Sequence, residues 1–331
     1  MSVLDQASLV LIPSGYKSGK LYSVVPSDGS GDLTFTRSTT ATRVNESGLI
    51  ETVGINVPRI DFTGGGCGKL LIEPQRTNLY LNSATLVTQN ISTSATKYTV
   101  SFYGTGTITF TGTYTGSLVG TGAANRVKIT FTATAGVLTS TVSGSCTSGQ
   151  AEASTAVTSY IPTTGTTVTR AQDNSLSTSS GIQAAINSTE GVLFIDFNRL
   201  GFDVEFSILG LYKSSNSNNN YTLIAYRHDR IQGYMRVGGV YVCTMNAYGV
   251  WTMPRLKIAF KWKLNDFALW VNGVEIATDV SGVSFAAGEL DTIRLGSNFS
   301  NPLPSFDARI NNIAVFNTIL TDTELTDLTT L

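Results

Sequence analysis

Acidic side chains are the first place to look for catalysis in this chain. Asp203 and Glu205 alternate along a run that resembles a strand, so their carboxylates could face the same side. A glycosidase needs two carboxyl groups that flank the bond to be cleaved. No third acidic residue follows at strand spacing, and we interpret the two as a solvated strand edge.

His228 is the single histidine, and this limits the other kinds of chemistry. A Ser-His-Asp triad would have to include it, but its neighbours are typical of a polar turn, and no Gly-x-Ser-x-Gly segment occurs. A metal site with several histidines is excluded. We therefore predict a protein that is not an enzyme and has no cofactor, with an oxygen-ligated calcium site as the one metal type left open.

Aromatic side chains near amides favour a sugar-binding surface instead. The C–H face of a pyranose packs on an aromatic ring, and its hydroxyls need polar partners. Core packing is the alternative, and we expect it for Trp262 and Trp270, which fall in alternating strands. The predicted glycan-binding residues are Tyr212, Asn218, Asn219, Tyr221, Tyr241, Tyr248 and Trp251, the last two in a loop.

The composition favours an all-β protein. Only 14% of the 331 residues are charged, against an average of about 25%. Thr, Ser and Gly are abundant, and they suit strands and turns. A net charge of −1 leaves no basic patch for nucleic acid. The three cysteines have neither metal-ligand nor redox spacing and are expected to be idle thiols.

The hydrophobic pattern divides the chain into three regions. Residues 1–77 have short apolar stretches and predict an extended segment covered by a partner, without signal peptide or membrane insertion. Residues 78–175 alternate apolar and polar positions, as in 98–102, and predict a small jelly-roll β-sandwich. Residues 176–331 have longer strands and all three tryptophans, and predict a larger β-sandwich.

Local signals add detail to this larger sandwich. Asn272-Gly273, between two apolar runs, predicts a type I′ hairpin turn. Thr321 and Glu324 have the spacing of a capping box and predict a short C-terminal helix. The predicted strands are 192–197, 206–212, 221–226, 255–264, 267–272, 293–296 and 309–316.

Three stretches of sequence resemble bacteriophage fibre and spike proteins. Residues 35–79, which include FTRSTTATRVNESGLIETVGINVPRIDF and LLIEPQRTNL, resemble a segment common in these proteins. The next region, from KYTVSFYGTGTITFTGT to AVTSYIPTTGTTVTRAQD, resembles the carbohydrate-binding-module-like jelly roll that often follows it. The final domain, with FALWVNGVEIAT and RINNIAVFNTILTDTELTDL, is similar to concanavalin A-like and laminin-G-like lectin folds.

The resemblance implies a structural subunit of a head fibre, tail fibre or spike on the virion surface, made in the cytoplasm of the host bacterium. It also implies a homotrimer that is anchored to capsid or tail proteins through residues 1–77 and adheres to host-surface or environmental glycans. Arginine suits bidentate interface contacts, although solvated arginine is equally consistent with the sequence. The predicted assembly-interface residues are Arg37, Arg43, Arg59 and Arg76.

Two other functions remain open from the sequence. One is a soluble, monomeric carbohydrate-binding module. The other is a spike enzyme that degrades polysaccharide with carboxylates that spacing does not reveal. The chain has no heptad or repeated shaft unit, and this favours a short fibre among the virion possibilities.

Overall fold

The computed structural model describes residues 2–13, 15–202, 206–227, 229–296 and 306–331. Asp203, Glu205 and His228, which were considered above for chemistry, lie outside these residues. Within the described residues the chain is built of β-sheets packed as two sandwiches, with short helices at a few positions. The all-β prediction is therefore confirmed.

The N-terminal region contributes eight short strands. Charged and turn residues interrupt its apolar stretches, so each strand is two to four residues long. The strands are β1 (Leu9–Leu11), β2 (Tyr16–Lys17), β3 (Lys20–Leu21), β4 (Leu33–Thr36), β5 (Ala41–Val44), β6 (Ile50–Val53), β7 (Arg59–Asp61) and β8 (Lys69–Ile72). A 3-10 helix, Val3–Gln6, precedes them.

The middle region forms the small sandwich. Its strands are β9 (Arg76–Asn78), β10 (Gln89–Thr93), β11 (Lys97–Gly104), β12 (Thr107–Gly112), β13 (Gly116–Val119), β14 (Gly122–Thr132), β15 (Gly136–Ser143), β16 (Cys146–Glu152) and β17 (Val168–Arg170). The sheet β10-β15-β12-β13 packs on the sheet β14-β11-β16. Tyr98, Val100 and Phe102 lie in the core between them, as their alternation predicts.

The C-terminal region completes the large sandwich. Its strands are β18 (Asn174–Ser177), β19 (Gly191–Phe202), β20 (Phe206–Tyr212), β21 (Tyr221–Arg227), β22 (Arg230–Val237), β23 (Val240–Tyr248), β24 (Arg255–Trp262), β25 (Phe267–Val271), β26 (Val274–Asp279), β27 (Thr292–Leu295) and β28 (Phe306–Phe316). The helices are α1 (Ser180–Ala185), the 3-10 helix Val250–Thr252 and α2 (Asp322–Thr329).

Strands from both ends of the chain share the two sheets of the large sandwich. Among the described residues, one sheet has eight strands in the order β26-β25-β24-β19-β28-β8-β7, with β1 also paired to β28. The other has nine strands in the order β2-β3-β4-β18-β27-β20-β21-β22-β23. Leu9 pairs with Val315 across the whole length of the sequence.

This arrangement corrects the predicted boundary at residue 77. Leu9, Leu33 and Phe35 are buried in the same core as Trp262, so residues 1–77 are not a separate extended segment. The small sandwich is an insertion in the large one. The antiparallel pair β9 and β17 brings together the points where the chain enters and leaves it.

The outer faces of the two large sheets differ. On the eight-stranded sheet, Leu325 and Leu328 of α2 pack over Trp270 and Phe316. The capping box predicted for α2 is present. The backbone N–H of Thr321 donates to the Glu324 carboxylate, and the backbone N–H of Glu324 donates to the Thr321 hydroxyl oxygen. The outer face of β20 to β22 carries a buried cluster of its own, whereas Tyr241 and Tyr248 on the edge strand β23 are exposed.

Candidate functional site

A row of side chains crosses the outer face of the nine-stranded sheet. Tyr212 on β20 pairs with Tyr221 on β21, Tyr221 pairs with Arg236 on β22, and Arg236 pairs with Tyr241 on β23. Directly paired residues in a sheet point to the same face. The opposite face of these strands carries Met235 and Cys243 and packs into the core.

Tyr234 links the tyrosines of this row into one aromatic surface, which we call the tyrosine row (Tyr212, Tyr221, Tyr234 and Tyr241). The neighbouring ring centroids lie 5.8 Å apart at each of the three steps. Such spacing and tilt are favourable for aromatic pairs. The sequence did not single out Tyr234.

Three members of the tyrosine row are buried, and only the one on the edge strand is exposed. Tyr212 is only 1% exposed, whereas Tyr241 on the edge strand is 58% exposed. Gly210 makes the inner end possible, because a Cβ there would lie 2.7 Å from the Tyr212 ring. Burial raises the pKa of Tyr212 and Tyr221, so both hydroxyls stay protonated. The tyrosine row therefore offers one accessible ring, Tyr241, which packs beside three buried tyrosines.

Arg236 is held over the accessible ring. Its guanidinium carbon lies 5.3 Å from the centroid of Tyr241. Its Nε donates to the carbonyl of Gly239 at 2.8 Å, and Nη1 donates to the carbonyl of Asn218 at 2.7 Å. The 213–220 loop thus fixes the arginine, and Asn219 contributes a backbone hydrogen bond with Gly239.

A second arginine supports the middle of the row. Arg227 Nη2 donates to the Tyr234 hydroxyl at 2.6 Å, and its guanidinium lies 5.7 Å from the ring centroid. Beside it, Gln232 donates to the side chain of Asn246 at 2.6 Å. The face therefore combines aromatic rings, on which the C–H face of a sugar can pack, with guanidinium groups and amides, which can bind sugar hydroxyls.

The structure brings five of the predicted glycan-binding residues to one end of this face: Tyr212, Asn218, Asn219, Tyr221 and Tyr241. Tyr248 lies at the other end of β23, 62% exposed, with the guanidinium of Arg230 5.5 Å from its ring centroid. It is a strand residue, so its predicted loop placement is wrong. Trp251 follows in a 3-10 helix, and its side chain lies outside the described residues.

The two strands that carry most of this site, β22 and β23, were not predicted from the sequence. The prediction left residues 227–254 without a strand, but β22 and β23 occupy most of them. Gly238-Gly239 joins these strands, and both glycines have positive φ. A Gly-Gly pair between two β-rich runs is a hairpin signal, so this turn was the available clue.

Two of the predicted assembly-interface arginines are internal. Arg37 and Arg59 are 1% and 0% exposed, and both bind Asp173 inside the chain. The prediction that they contact a partner is therefore wrong, because buried guanidinium groups need internal acids. Arg43 is half-buried and pairs with Glu51. Arg76 is half-buried too, and an interface role for these two stays a prediction.

No three His, Cys, Asp or Glu side chains of the described part of the chain lie together as metal ligands would. Cys67, Cys146 and Cys243 are free thiols. No helix of the described part is long and apolar enough to cross a bilayer.

No protein-family model and no curated protein sequence matches this chain. Solved structures with some similarity include the CBM40 module of Ruminococcus gnavus IT-sialidase bound to α2,3-sialyllactose, at 18% identity and TM-score 0.40, over 46% of this chain and 88% of that one. Domain 4 of AbnA, a GH43 extracellular arabinanase from Geobacillus stearothermophilus, in complex with arabinotriose, has 15% identity and TM-score 0.38, over 48% and 73%.

The NanB sialidase of Streptococcus pneumoniae has 17% identity and TM-score 0.38, over 44% of this chain and 24% of that one. Each of these similarities covers less than half of this chain.

Proposed function

We propose that this chain binds glycans, without cleaving them, at the outer face of its nine-stranded sheet. The observation that carries this proposal is the tyrosine row, which ends in an accessible ring at Tyr241 under a fixed arginine. The buried end anchors the rings, and the exposed end offers the surface on which a sugar packs. Solved structures with a partly similar fold include modules bound to sialyllactose and arabinotriose.

The arrangement suits recognition of one or a few sugar rings. The C–H face of a pyranose would lie on the face of Tyr241 that Arg236 does not cover, and hydroxyl groups would bind Arg236 and the exposed side-chain amide of Asn218. Because one exposed ring offers limited contact, each site is expected to be weak. Several copies on one particle would raise the overall avidity without new contacts.

The first experiment is a glycan array with the full-length protein, followed by calorimetry of the best ligand. Tyr241→Ala should weaken binding by about tenfold or more, because it removes the accessible ring. Tyr22→Ala is the control: this tyrosine also has a cation over its ring, with Lys17 Nζ 5.4 Å from the centroid, but it follows β3 near the opposite edge of the sheet. Unchanged affinity in Tyr241→Ala would contradict the proposal.

We further propose that the chain displays this site on a phage fibre or spike, as a homotrimer attached to capsid or tail proteins. The support is the resemblance of residues 35–79 and of the following region to such proteins. Light scattering of the full-length chain tests the assembly. A trimer at micromolar concentration is expected, and a monomer at all concentrations would contradict this part of the proposal.

A soluble carbohydrate-binding module is the second candidate. It is favoured by the placement of β1, β4, β7 and β8 inside the two sheets, which uses much of the proposed anchoring segment within the fold. A monomer that retains glycan binding would support this candidate over the fibre. The glycan-binding proposal itself is common to both.

A further inference from the structure

A second exposed tyrosine lies on the same sheet face as Tyr241. Tyr248 pairs with Arg230 across the β22–β23 hairpin, just as Tyr241 pairs with Arg236. Because Arg230 and Arg236 are an even number of positions apart on one strand, they and their paired tyrosines all point to the outer face. Each exposed ring also has the guanidinium of its paired arginine over it. The same combination of an accessible ring and an arginine therefore occurs at both ends of β23.

The distance between the two exposed rings is too large for one sugar to contact both. Their partners, Arg230 and Arg236, lie six positions apart on β22. At the usual rise of a strand this separation is about 20 Å, or roughly four extended sugar rings. A ligand that contacts both Tyr241 and Tyr248 must therefore be a chain of several sugars that runs parallel to the strand.

Uncharged hydrogen-bonding groups lie between the two tyrosines. Gln232 Nε2 donates to Asn246 Oδ1 at 2.6 Å. The Gln232 oxygen and the Asn246 amino group have no partner within the described part of the chain, and neither is buried. Thr244, which is exposed, adds a hydroxyl on the same face. Amide and hydroxyl groups both donate and accept, so they match the hydroxyls of a sugar.

The outer side chains of β23 form a continuous path, which we call the β23 strip (Tyr241, Thr244, Asn246 and Tyr248). The side chains that alternate with them, Cys243, Met245 and Ala247, are buried in the core and fix the strand. The strand has no charged residue and no proline. It is also the last strand of its sheet, and no other described strand pairs with its free edge. A sugar chain could therefore lie along the strip and extend beyond either end of it.

We propose that the glycan bound by this face is a linear oligosaccharide that lies along the β23 strip, with one sugar ring on Tyr241 and another on Tyr248. This inference rests on the glycan-binding function proposed above and adds the kind of glycan. The sugars between the two rings would bind Thr244 and the amide pair of Gln232 and Asn246 through their hydroxyls. Once one tyrosine is occupied, contact with the other is intramolecular, so two weak contacts strengthen each other.

Chain length is the first test. The full-length protein is applied to an array of branched N-glycans and of unbranched cello-, xylo-, malto- and chito-oligosaccharides, from disaccharides to hexasaccharides, and calorimetry follows for the best series. Affinity should rise by about tenfold or more from the disaccharide to the pentasaccharide and then level off. Equal affinity for the disaccharide and the hexasaccharide, or binding to branched glycans alone, would overturn this inference but leave the glycan-binding function in place. Absence of binding to every glycan would overturn both.

Variants at the far end of the strip are the second test. Tyr248→Ala should weaken binding of the hexasaccharide by about fivefold or more, and by more than it weakens binding of the disaccharide. Tyr248→Phe, which keeps the ring, should restore most of this loss. Because Tyr248 is exposed, both variants should fold, and thermal melting checks this. Tyr22→Ala, near the opposite edge of the sheet, is the control. Wild-type affinity for the hexasaccharide in Tyr248→Ala, together with a loss in Tyr241→Ala, would overturn this inference alone.

Discussion

At the scale of single residues, a chain of buried ion pairs lies where the polypeptide passes between the large and the small sandwich. It runs Arg37–Asp173–Arg59–Glu73–Arg170, and each of these side chains is at most 1% exposed. Glu73 follows β8 and Asp173 precedes β18, so both acids mark the points where the chain leaves and re-enters the large sandwich. Removal of one member leaves its direct neighbours buried with one charged partner fewer.

Replacement of Glu73 should be strongly destabilising. Glu73→Gln leaves Arg59 and Arg170 without their shared carboxylate and should lower the free energy of unfolding by about 3–5 kcal/mol. Chemical denaturation at pH 7 measures this change. Glu51→Gln is the control, because Glu51 also pairs with an arginine, Arg43, but on the surface, where such pairs contribute about 0–1 kcal/mol. Equal losses in the two variants would contradict the expectation.

The same site predicts a pH dependence. Burial alone would raise the pKa of Glu73, but the charges of Arg170 and Arg59 and hydrogen bonds from Ser159 hold it below its ordinary value of 4.5. A lowered pKa in the folded state gives stability that is present above about 4.5 and is lost as the pH falls toward the folded-state pKa. The wild type should therefore lose more stability than Glu73→Gln between pH 5 and 2, whereas parallel curves would argue against this role.

At the scale of elements, the β22–β23 hairpin decides the shape of the proposed glycan-binding face. It carries Tyr234, Arg236 and Tyr241, and it ends the nine-stranded sheet. On its inner side, Gly233 lets the ring of Phe260 approach the strand. The position of the binding residues therefore depends on close packing on the opposite face of the same strand.

A side chain at residue 233 should disturb this packing. In Gly233→Ala the new Cβ would lie 2.5 Å from Phe260, so the strand or the ring must move. We expect a loss of about 1–3 kcal/mol in the free energy of unfolding, together with weaker glycan binding. Gly54→Ala is the control, since its nearest contact would be 3.5 Å from Val57. Thermal melting and calorimetry measure both effects, and wild-type behaviour of Gly233→Ala would show that the packing is looser than described.

At the scale of the whole molecule, the order of domains along the chain differs from their order in space. The large sandwich is assembled from both ends of the sequence, and the small one is inserted between β8 and β18. The small sandwich has its own core, with Phe102 and Phe110 fully buried, and its ends meet at β9 and β17. We therefore expect the small sandwich to fold on its own and the large sandwich to need both ends of the chain.

Fragments test this difference. Residues 76–170 should fold alone and melt cooperatively, because their core and chain ends are complete. Residues 174–331 should not, because they lack β1, β7 and β8 from one sheet and β2, β3 and β4 from the other. Circular dichroism and amide NMR spectra distinguish the outcomes. A stable 174–331 fragment would mean that the N-terminal strands only decorate the large sandwich.

The sequence by itself determined features that depend on neighbouring residues. Alternation of apolar residues identified the strands around 98–102, and the composition indicated the all-β class. Asn272 and Gly273 have the positive φ angles that the predicted I′ turn requires, and the capping box at Thr321 is formed. These signals are local because a turn or a cap is stabilised by residues a few positions apart.

Only the tertiary structure decided the rest, because it depends on pairing between distant residues. The short apolar stretches of residues 1–77 find their partners in β18 and β28. The same distance explains why the burial of Arg37 and Arg59 was not predicted: Asp173, the acid that joins them, lies more than a hundred positions away, although Arg59 also pairs with the nearer Glu73. The tyrosine row likewise needs the register of four strands, which places Tyr241 beside Arg236 and leaves Tyr248 at the far end of the face.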